Sequence, residues 1–479
     1  MLIILEPDRP LHEQIYAHTR AAILGGRLGA GSKVTSTRQL AYDLGVSRNV
    51  VIMAYEQLLA EGYLEARVGS GTFVARALPE RTPLSIPEVA TTSHLRVSAF
   101  AQRAVQARSS WPAELAPPRY DLRYGRVAKD ERVLRAWRRA LNRVLPTLPL
   151  GYGDTAGYLP LRRALSRYLE RNRGVQCTPE QVFITNGSQQ ALDLAARVLL
   201  ESGDAVVVED PCYQGARQVF ESAGARLFGR AVDDEGMTTP KRSARLAYTT
   251  PSHQFPGGAV MSLSRRLELL EWAENNEAFI VEDDYDSEFR YEGRPIAAIQ
   301  GLAQSERVVY LGTFSKVLFP ALRLGFMVLP PSLSGTFQAS KWLSDRHSPV
   351  LEQAALARLL EEGWFERHVR RTRNRNARRR QALLGSLAEV FGERIQVAGT
   401  NAGVHLVVWF PSLVREQEKE IIALARTHEV GVYGIAPYYL RAPEQPGLLL
   451  GYAYLNEKEI DEGVAALGAA LNPLFASKM

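Results

Sequence analysis

Two kinds of hydrophobic pattern run along this chain. From Leu11 to Leu24 the apolar residues recur at helical spacing, and the pair Gly25-Gly26 interrupts them. Farther along, short uninterrupted apolar runs are each followed directly by polar residues, as at Ala205–Val208, Ala278–Ile280 and Val308–Leu311. Such runs predict buried strands, and the polar residues after them lie where an α/β sheet places its ligand contacts.

The pattern within residues 36–59 predicts two helices joined by a tight turn. Ser36 is suited to cap the first helix, Gly45 to form the turn and Ser47 to cap the second helix. Arg48 and Asn49 then stand at the start of the second helix, the end that enters a DNA major groove, where arginine binds guanine and asparagine binds adenine. A helical subdomain of an enzyme is the alternative interpretation.

The following segment, residues 62–74, predicts a two-stranded hairpin with a glycine-rich tip. Together with the two helices it resembles the winged helix-turn-helix of the GntR regulators, including the Ser-x-Arg before the first apolar pair and the Gly-x-Gly-Thr-Phe-Val of the wing. This resemblance implies binding to double-stranded operator DNA. The residues that we assign to DNA binding are Ser36, Arg38, Ser47, Arg48, Asn49 and Gly71.

The positive charge of this region is local. Residues 1–80 hold eight Lys plus Arg and eight Asp plus Glu, so the region has no net charge. Between Gln14 and Tyr55, however, five basic residues face a single acid, Asp43. Such a concentration of positive charge is what electrostatic attraction to phosphate requires.

Lys316 is the residue that most restricts which chemistry the rest of the chain can carry out. It follows the apolar run 308–311 in a Gly-Thr-Phe-Ser-Lys sequence, and Arg323 follows seven residues later. A lysine so placed can form an imine with a phosphorylated aldehyde, while the hydroxyls of Thr313 and Ser315 and the guanidinium of Arg323 hold the phosphate. By itself, the Ser-Lys pair also fits a surface lysine in a turn.

A second phosphate contact is predicted where another strand passes into a helix through a glycine. Backbone N–H groups at the start of a helix are free to bind phosphate. Gly187, Ser188 and Gln189 occupy that position.

The acidic segment 282–286 directly follows the apolar run 278–281. Asp283 is the predicted anion beside the ring nitrogen of pyridoxal phosphate, which needs such a partner to stay protonated. Tyr285 points to the same side of an extended chain and can donate to the phenolic oxygen of the ring. We interpret Asp284, Asp286 and Glu288 as a solvated turn.

Three further segments resemble the fold-type I aminotransferases. Residues 209–213 end in Tyr213, which this resemblance places on the cofactor face. Residues 152–157 are similar to the segment whose tyrosine, here Tyr152, reaches the phosphate of the neighbouring subunit. The resemblance implies pyridoxal 5'-phosphate as the cofactor, and no metal site is predicted.

The third segment, residues 251–258, departs from the family in an informative way. It stands where the family has an asparagine-proline-x-glycine loop, but Phe255 occupies the position of the ring-contacting asparagine. His253 or Gln254 is left to replace the lost hydrogen bond.

A winged helix followed by an aminotransferase-like domain is the arrangement of the MocR subfamily of GntR regulators, and the two resemblances cover nearly the whole chain. The implied fold class is α/β, with an N-terminal winged helix-turn-helix plus a fold-type I PLP-dependent aminotransferase-like domain. The predicted domains are residues 1–76, a proline-rich linker over 77–118 in which Val97 to Ala107 can form a short helix, and residues 119–479. The large domain is expected to form a homodimer.

Two classes of function compete. In one, the chain regulates transcription and its large domain senses pyridoxal phosphate itself or an amine or amino-acid effector; the alternative is a PLP-dependent aminotransferase with an accessory DNA-binding domain. An amino-acid aminotransferase usually holds the substrate carboxylate with an arginine near its C-terminus. Residues 447–453 contain none, and Arg217 and Arg441 are distant candidates. This difference weakens both efficient transamination and any simple amino-acid effector.

The remaining features of the sequence constrain the function of the protein less closely. The net charge of +6 is modest for 479 residues, and much of the excess lies in 367–380, a predicted helix whose basic face we interpret as solvated rather than as a second DNA contact. The two cysteines, Cys177 and Cys212, fit a reducing compartment. Because the sequence shows neither a secretory signal pattern nor a long apolar run, we expect a cytoplasmic protein that does not enter a membrane.

Overall fold

The computed structural model describes residues 5–6, 9–78, 96–108, 118–149, 151–293 and 296–476. The chain divides into two compact units, residues 1–96 and residues 97–479, each with its own hydrophobic core. Among the described helices, none combines the length and apolar character that crossing a membrane requires.

The first unit consists of three helices and a hairpin, which are α1 (Leu11–Leu24), α2 (Thr37–Leu44), α3 (Arg48–Ala60), β1 (Leu64–Arg67) and β2 (Gly71–Val74). The predicted helix-turn-helix and wing are therefore present. Ser36 caps α2 by accepting a hydrogen bond from the backbone N–H of Gln39 at 3.2 Å. Gly45 ends α2 with a φ of 66°, a left-handed conformation that favours glycine. Ser47 is the N-cap of α3 by position but makes no capping hydrogen bond with its side chain.

The apolar sides of these helices meet the wing in one core. Ile15, Val51, Leu58 and Val74 are fully buried there. The hairpin pairs Leu64 with Val74 in antiparallel register. The polar sides of α2 and α3 are consequently left to solvent.

The second unit is built on an eight-stranded sheet. All strands of this unit, including those outside the large sheet, are β3 (Tyr120–Asp121), β4 (Val182–Thr185), β5 (Ala205–Asp210), β6 (Arg226–Asp233), β7 (Gly236–Met237), β8 (Leu246–Thr249), β9 (Phe279–Asp284), β10 (Val308–Thr313), β11 (Gly325–Val328), β12 (Gln396–Ala398), β13 (His405–Trp409), β14 (Val430–Gly431), β15 (Tyr433–Gly434) and β16 (Gly447–Gly451). The large sheet has the order β4-β11-β10-β9-β8-β5-β6-β7. Its central strands β10, β9, β8, β5 and β6 are parallel, and β11 is antiparallel to both of its neighbours.

Helices cover both faces of this sheet. The helices of the unit are α4 (Ala99–Arg108), α5 (Glu131–Val144), α6 (Leu159–Arg173), α7 (Ser188–Leu199), α8 (Gln214–Ala223), α9 (Leu263–Asn275), α10 (Ile299–Leu302), α11 (Pro331–Asp345), α12 (Val350–Glu361), α13 (Trp364–Phe391), α14 (Glu418–Thr427) and α15 (Glu457–Ala476). Val206 and Val208 of β5 pack with α7 and α8, whereas Val207 packs with α9 on the other face. Burial on both faces explains the uninterrupted apolar runs of the sequence.

A smaller sheet, β12-β13-β16-β15, packs against α13 and α15 in a second core of the same unit. Leu406 and Val408 of β13 and Leu448 and Leu450 of β16 face that core. The alternate residues Val407 and Leu449 face the opposite way and lie in a separate cluster with Phe255 and Tyr285. The small sheet therefore contributes one wall of the region around the predicted site.

Helix α4, which matches the short helix predicted near residues 97–107, packs on α8 in the second unit. The Arg103 guanidinium donates to the Ser222 carbonyl at 2.9 Å, and the Gln218 amide donates to the Ala107 carbonyl at 3.0 Å. The rest of the predicted linker falls largely on residues 79–95 and 109–117, outside the described residues.

The arginines predicted to form a basic face lie on α13, and many of them bind the protein itself. Arg375 pairs with Asp130 at 2.9 Å, and Arg380 pairs with Glu292 at 2.6 Å. Arg373 and Arg379 donate to backbone carbonyls at 2.7 and 2.6 Å. Part of this charge is therefore used within the fold, while Arg367, Arg370, Arg371 and Arg378 remain exposed as the sequence suggested.

Candidate functional site

The predicted site residues meet at the carboxyl ends of the central parallel strands. Lys316 follows β10 by three residues, and its Nζ lies 4.4 Å from the centre of the Tyr124 ring. Burial lowers the pKa of Lys316 from 10.5 to about 8, while the carboxylates of Asp286 and Asp283 oppose that shift. An amine with this pKa has a far larger neutral fraction near pH 7 than an unperturbed lysine, and the neutral form is the nucleophile.

Asp283 lies at the end of the neighbouring strand β9, opposite Leu311 of β10. Its Oδ2 accepts a hydrogen bond from the Tyr248 hydroxyl at 2.8 Å, whereas its buried Oδ1 has no partner among the described residues. Burial raises the pKa of Asp283 from 3.8 to about 7. A cationic ring nitrogen beside Oδ1 would satisfy the unpaired atom and keep the carboxylate ionised, as pyridoxal phosphate requires.

Tyr285 is held by a histidine. Its hydroxyl lies 3.0 Å from Nδ1 of His253, and the same nitrogen lies 3.1 Å from Oδ2 of Asp286. The carboxylate favours the tautomer with the proton on Nδ1, which leaves the Tyr285 O–H free to donate to a ligand.

Gln254, the other candidate to replace the hydrogen bond of the asparagine, makes different contacts. Its amide nitrogen donates to the carbonyls of Pro211 and Phe255 at 2.7 and 2.8 Å, and its oxygen accepts from the backbone N–H of Gly257 at 2.9 Å. These bonds hold the loop in place, so His253 is the residue placed to support the ring contact.

The interpretation of Asp284, Asp286 and Glu288 as a solvated turn was wrong. Asp284 and Asp286 are buried, and burial raises the pKa of Glu288 to about 7. Asp284 pairs with the buried Arg173 of α6 at 2.7 Å. This cation is distant in the sequence, so the acidic run gave no indication that its charge is compensated inside the protein.

The predicted phosphate ligands also converge. Gly187 is the N-cap of α7, with a φ of 82°, and a Cβ there would lie 2.9 Å from Nη2 of Arg323. Gly325, next to Thr313 in the sheet, leaves room for the Gly187 backbone, which a Cβ on Gly325 would meet at 2.9 Å. A helix start, a guanidinium and a concave glycine backbone form a cradle suited to an anion.

Four other predicted phosphate contacts differ in their positions. The Thr313 and Ser315 hydroxyls lie 3.1 Å apart at the end of β10. Ser188 is the first residue of α7. The side chain of Gln189 is exposed and reaches the Gly215 carbonyl at 3.3 Å, so only its backbone N–H remains for phosphate.

Tyr213 lies between the Asp283 side and the Arg323 side of the site. Burial raises the pKa of Tyr213 to about 12, and both Asp283 and Arg323 act electrostatically on its hydroxyl. Its ring folds over Gly215, where a Cβ would come within 2.7 Å of the ring. This position fits a ring that stacks on a planar cofactor.

Several aromatic residues of the site were missed by the sequence analysis. Phe255 lies at the centre of this group, with ring centroids 4.8 Å from Tyr124, 5.2 Å from Tyr438 and 5.4 Å from His405. Tyr124 lies in a turn and Tyr438 at the end of a single 3-10 turn, Ala436–Tyr438, in segments without a recognised motif. The sequence carried no local signal for them, because the fold alone brings them together.

Tyr152 is 87% exposed and makes an edge contact with the His347 ring at 5.7 Å. Tyr152 therefore does not pack in the core of its own chain. An exposed tyrosine is free to reach another subunit.

His253, Asp286 and His405 form the one trio of possible metal ligands that the described residues contain, with ligand atoms within 4.8 Å of one another. One nitrogen of each histidine is already engaged, His253 Nδ1 as above and His405 Nε2 with the Pro256 carbonyl at 3.1 Å. We therefore assign His253 and Asp286 to the support of Tyr285, with the His405 ring packed 4.8 Å from the His253 ring.

The residues predicted to bind DNA lie on the exposed side of the first unit. Arg38, Ser47, Arg48 and Asn49 are exposed at the starts of α2 and α3. Nε of Arg48 lies 3.5 Å from the Thr37 hydroxyl, so the starts of the two helices adjoin. The wing tip at Gly71, with a φ of 108°, is also exposed.

Fold and site together define a class: a winged helix-turn-helix DNA-binding unit joined to a fold-type I aminotransferase unit. The family model "Bacterial regulatory proteins, gntR family" matches residues 11–74, and "Aminotransferase class I and II" matches residues 121–467. The chain belongs to the MocR type of gntR-family regulators, and its cofactor is pyridoxal 5'-phosphate.

Similar proteins support both halves of this assignment. The chain is 37% identical over 479 residues to the "Probable rhizopine catabolism regulatory protein MocR" of Rhizobium meliloti, covering 98% of this chain and 96% of that protein. It is 27% identical to the pyridoxine biosynthesis transcriptional regulator PdxR of Corynebacterium glutamicum, covering 98% of each. The α-aminoadipate aminotransferase LysN of Thermus thermophilus, solved with N-(5'-phosphopyridoxyl)-L-leucine, has a TM-score of 0.69 at 29% identity, covering 80% of this chain and 98% of that chain.

Proposed function

We propose that this protein binds operator DNA through its winged helix and uses its large unit to sense a small molecule with pyridoxal phosphate bound at Lys316. The observation that carries this proposal is the coexistence, in one chain, of the cofactor cradle around Lys316 with exposed Arg38, Arg48 and Asn49 at a helix-turn-helix. Acting on DNA places the protein in the cytoplasm.

We assign individual roles within the cradle to the residues described above. Bound pyridoxal phosphate supplies an electrophilic carbon that condenses with primary amines. Lys316 anchors it, Asp283 keeps its ring nitrogen protonated, Tyr213 stacks on its face, and Tyr285 with His253 contacts its phenolic oxygen. The phosphate is held by Gly187, Ser188, Gln189, Thr313, Ser315 and Arg323, with Tyr152 supplied by a second chain.

Two features favour regulation over transamination as the main activity. Leu449 is the residue of β16 that faces the Phe255 cluster, so the strand searched for a carboxylate-binding arginine offers an aliphatic side chain there. Arg217, one of the distant candidates, donates to the Tyr439 carbonyl at 3.1 Å, and Arg441 is exposed. Without a two-pronged carboxylate contact, an amino-acid substrate is poorly oriented for proton transfer.

The effector is either pyridoxal phosphate itself or an amine or amino acid that meets it. The name of the PdxR relative links it to pyridoxine biosynthesis, and that of the MocR relative links it to rhizopine catabolism. Both kinds of signal reach DNA through the same homodimer, in which each large unit completes the site of its partner.

The deciding experiment measures binding of the full-length protein to the intergenic DNA beside its gene by fluorescence anisotropy, with and without pyridoxal phosphate. We expect preference for this DNA over a scrambled duplex of equal length. A change in affinity on adding the cofactor alone supports the vitamin-sensor form of the proposal. Equal binding to both duplexes in every condition would contradict the regulator and leave the aminotransferase alternative.

A further inference from the structure

The two departures of this chain from the aminotransferase pattern lie side by side. Phe255 stands where that pattern has an asparagine, and Leu449 lies on the strand where a carboxylate-binding arginine was sought. Both are buried, and they share one apolar cluster with Ile435, Val407 and Tyr285. One wall of the site has therefore lost two polar groups together.

Aromatic rings surround this wall and reach Lys316. The Phe255 ring contacts Tyr124 at 4.8 Å and Tyr438 at 5.2 Å, and the Tyr124 ring lies 4.4 Å from Nζ of Lys316. Burial raises the pKa of Tyr438 to about 12 and lowers the pKa of His405 well below 6.5. These groups are consequently neutral at pH 7, able to donate or accept hydrogen bonds but not to balance a negative charge.

The arginines on the flanking segments have other partners. Arg126 pairs with Asp121 at 2.6 Å, and the adjacent Arg123 donates to the Tyr433 hydroxyl at 2.7 Å. Arg323 belongs to the phosphate cradle. The described residues of one chain therefore leave no guanidinium to pair with a carboxylate next to Lys316, and such a carboxylate would be desolvated against rings and aliphatic groups, which is strongly unfavourable.

A ligand with an amino group and no carboxylate avoids this penalty. Aromatic faces attract ammonium groups, and phenol or imidazole groups can bind neutral hydroxyls of a ligand. We propose that the ligand of this site is a primary amine that carries no carboxylate beside its amino group. This inference rests on the proposed function, because the ligand meets the cofactor bound at Lys316.

The test uses matched pairs that differ only in the carboxylate: ethylamine and L-alanine, phenethylamine and L-phenylalanine, putrescine and L-ornithine. Each is added to the cofactor-loaded full-length protein, and binding is followed by calorimetry and by the absorbance of the bound cofactor. Free pyridoxal phosphate with the same compounds corrects for reaction in solution. We expect at least one amine to bind about 100-fold or more tightly than its amino acid, the effect of leaving one buried charge unpaired.

A substitution places the missing cation on the wall. Leu449→Arg is expected to reduce or reverse the preference within each pair, whereas Leu267→Arg, on the exposed side of α9, adds the same charge without changing it. Should Leu449→Arg fail to fold, the wild-type pairs alone decide.

Equal affinity within every pair, tighter binding of the amino acids, or binding of no amine overturns the inference. Failure of the proposed function is recognised separately, before any ligand is added. It would appear as a protein that lacks a reducible link to its cofactor or that does not distinguish operator from scrambled DNA.

Discussion

The buried charged residues of this site differ in whether the protein itself supplies a partner of opposite charge. Asp284 and Asp283 are adjacent and both buried, and Oδ1 of each has no partner among the described residues, but of the two only Asp284 pairs with a guanidinium, that of Arg173 at 2.7 Å. The first carboxylate stabilises the fold, and the second is left for the cofactor. Lys316 resembles Asp283 in this respect, because burial disfavours the charged form of its amine and lowers its pKa.

This environment predicts how attachment of the cofactor depends on pH. Imine formation requires neutral Lys316, and burial lowers the pKa of that amine from 10.5 to about 8. In protein freed of cofactor, the rate of attachment should therefore rise with pH and level off above about 8, rather than continuing to rise toward 10.5. Borohydride trapping at timed intervals across pH 6–10 measures this rate.

Lys316→Ala is the matching control for that measurement. It should lose the reducible link but retain weaker binding through the cradle at Gly187 and Arg323. A reducible link in this variant would show that another lysine is the anchor.

His253 provides a second prediction at this scale. His253→Gln loosens the Tyr285 hydroxyl that we assign to the phenolic oxygen of the cofactor. Because a hydrogen bond to that oxygen stabilises the deprotonated imine, its loss should raise the pKa seen in an absorbance titration of the bound cofactor. His428→Gln, at an exposed helix end, should leave the titration unchanged. An unshifted titration in His253→Gln would remove the histidine from this role.

The sequence predicted Lys316, Asp283 and Tyr213 from their positions at or just beyond the ends of apolar strands, and the structure brings them to the same edge of the sheet. It missed Tyr124, which depends on contacts between distant segments. The error at Asp284 has the same origin, since its partner Arg173 lies on α6. Local pattern identifies where a strand ends, but pairing between separate elements is decided by packing.

At the level of elements, the helix-turn-helix was predictable from the residues that begin and end its helices. Ser36 and Gly45 adopt the capping and left-handed conformations expected of them, and the apolar spacing placed α1 at its observed bounds. The main-sheet strands behind the site were also predicted, because burial on both faces makes them continuously apolar. The pairing order of the strands was not predictable from such runs, since they look alike.

Substitutions at the starts of α2 and α3 test the DNA-binding surface. Arg48→Ala and Arg38→Ala should abolish specific operator binding while leaving the cofactor spectrum intact. Loss of a base contact costs about 1–3 kcal/mol, and loss of a phosphate contact weakens binding to all sequences alike. Lys458→Ala, which removes an exposed charge from α15, is the control. Operator affinity unchanged in both arginine variants would exclude these helices as the reading surface.

For the whole molecule, the proposed sharing of sites between two chains makes a quantitative prediction. In a mixture of Lys316→Ala and Tyr152→Phe chains, one site of each heterodimer carries both changes and the other keeps Lys316 with a native Tyr152 from its partner. Half of the heterodimer sites should then recover native cofactor affinity, because a buried phosphate needs several donors. If Tyr152 serves its own chain, titration of the mixture will show no recovery beyond the Tyr152→Phe parent.

The internal pairing of the α13 arginines changes what the net charge of +6 means for DNA. Guanidinium groups already bound to Asp130, Glu292 and backbone carbonyls do not displace the sodium or potassium ions condensed on a duplex. These paired arginines should therefore add little to the steepness with which affinity for DNA falls as salt is added, although they count toward the net charge.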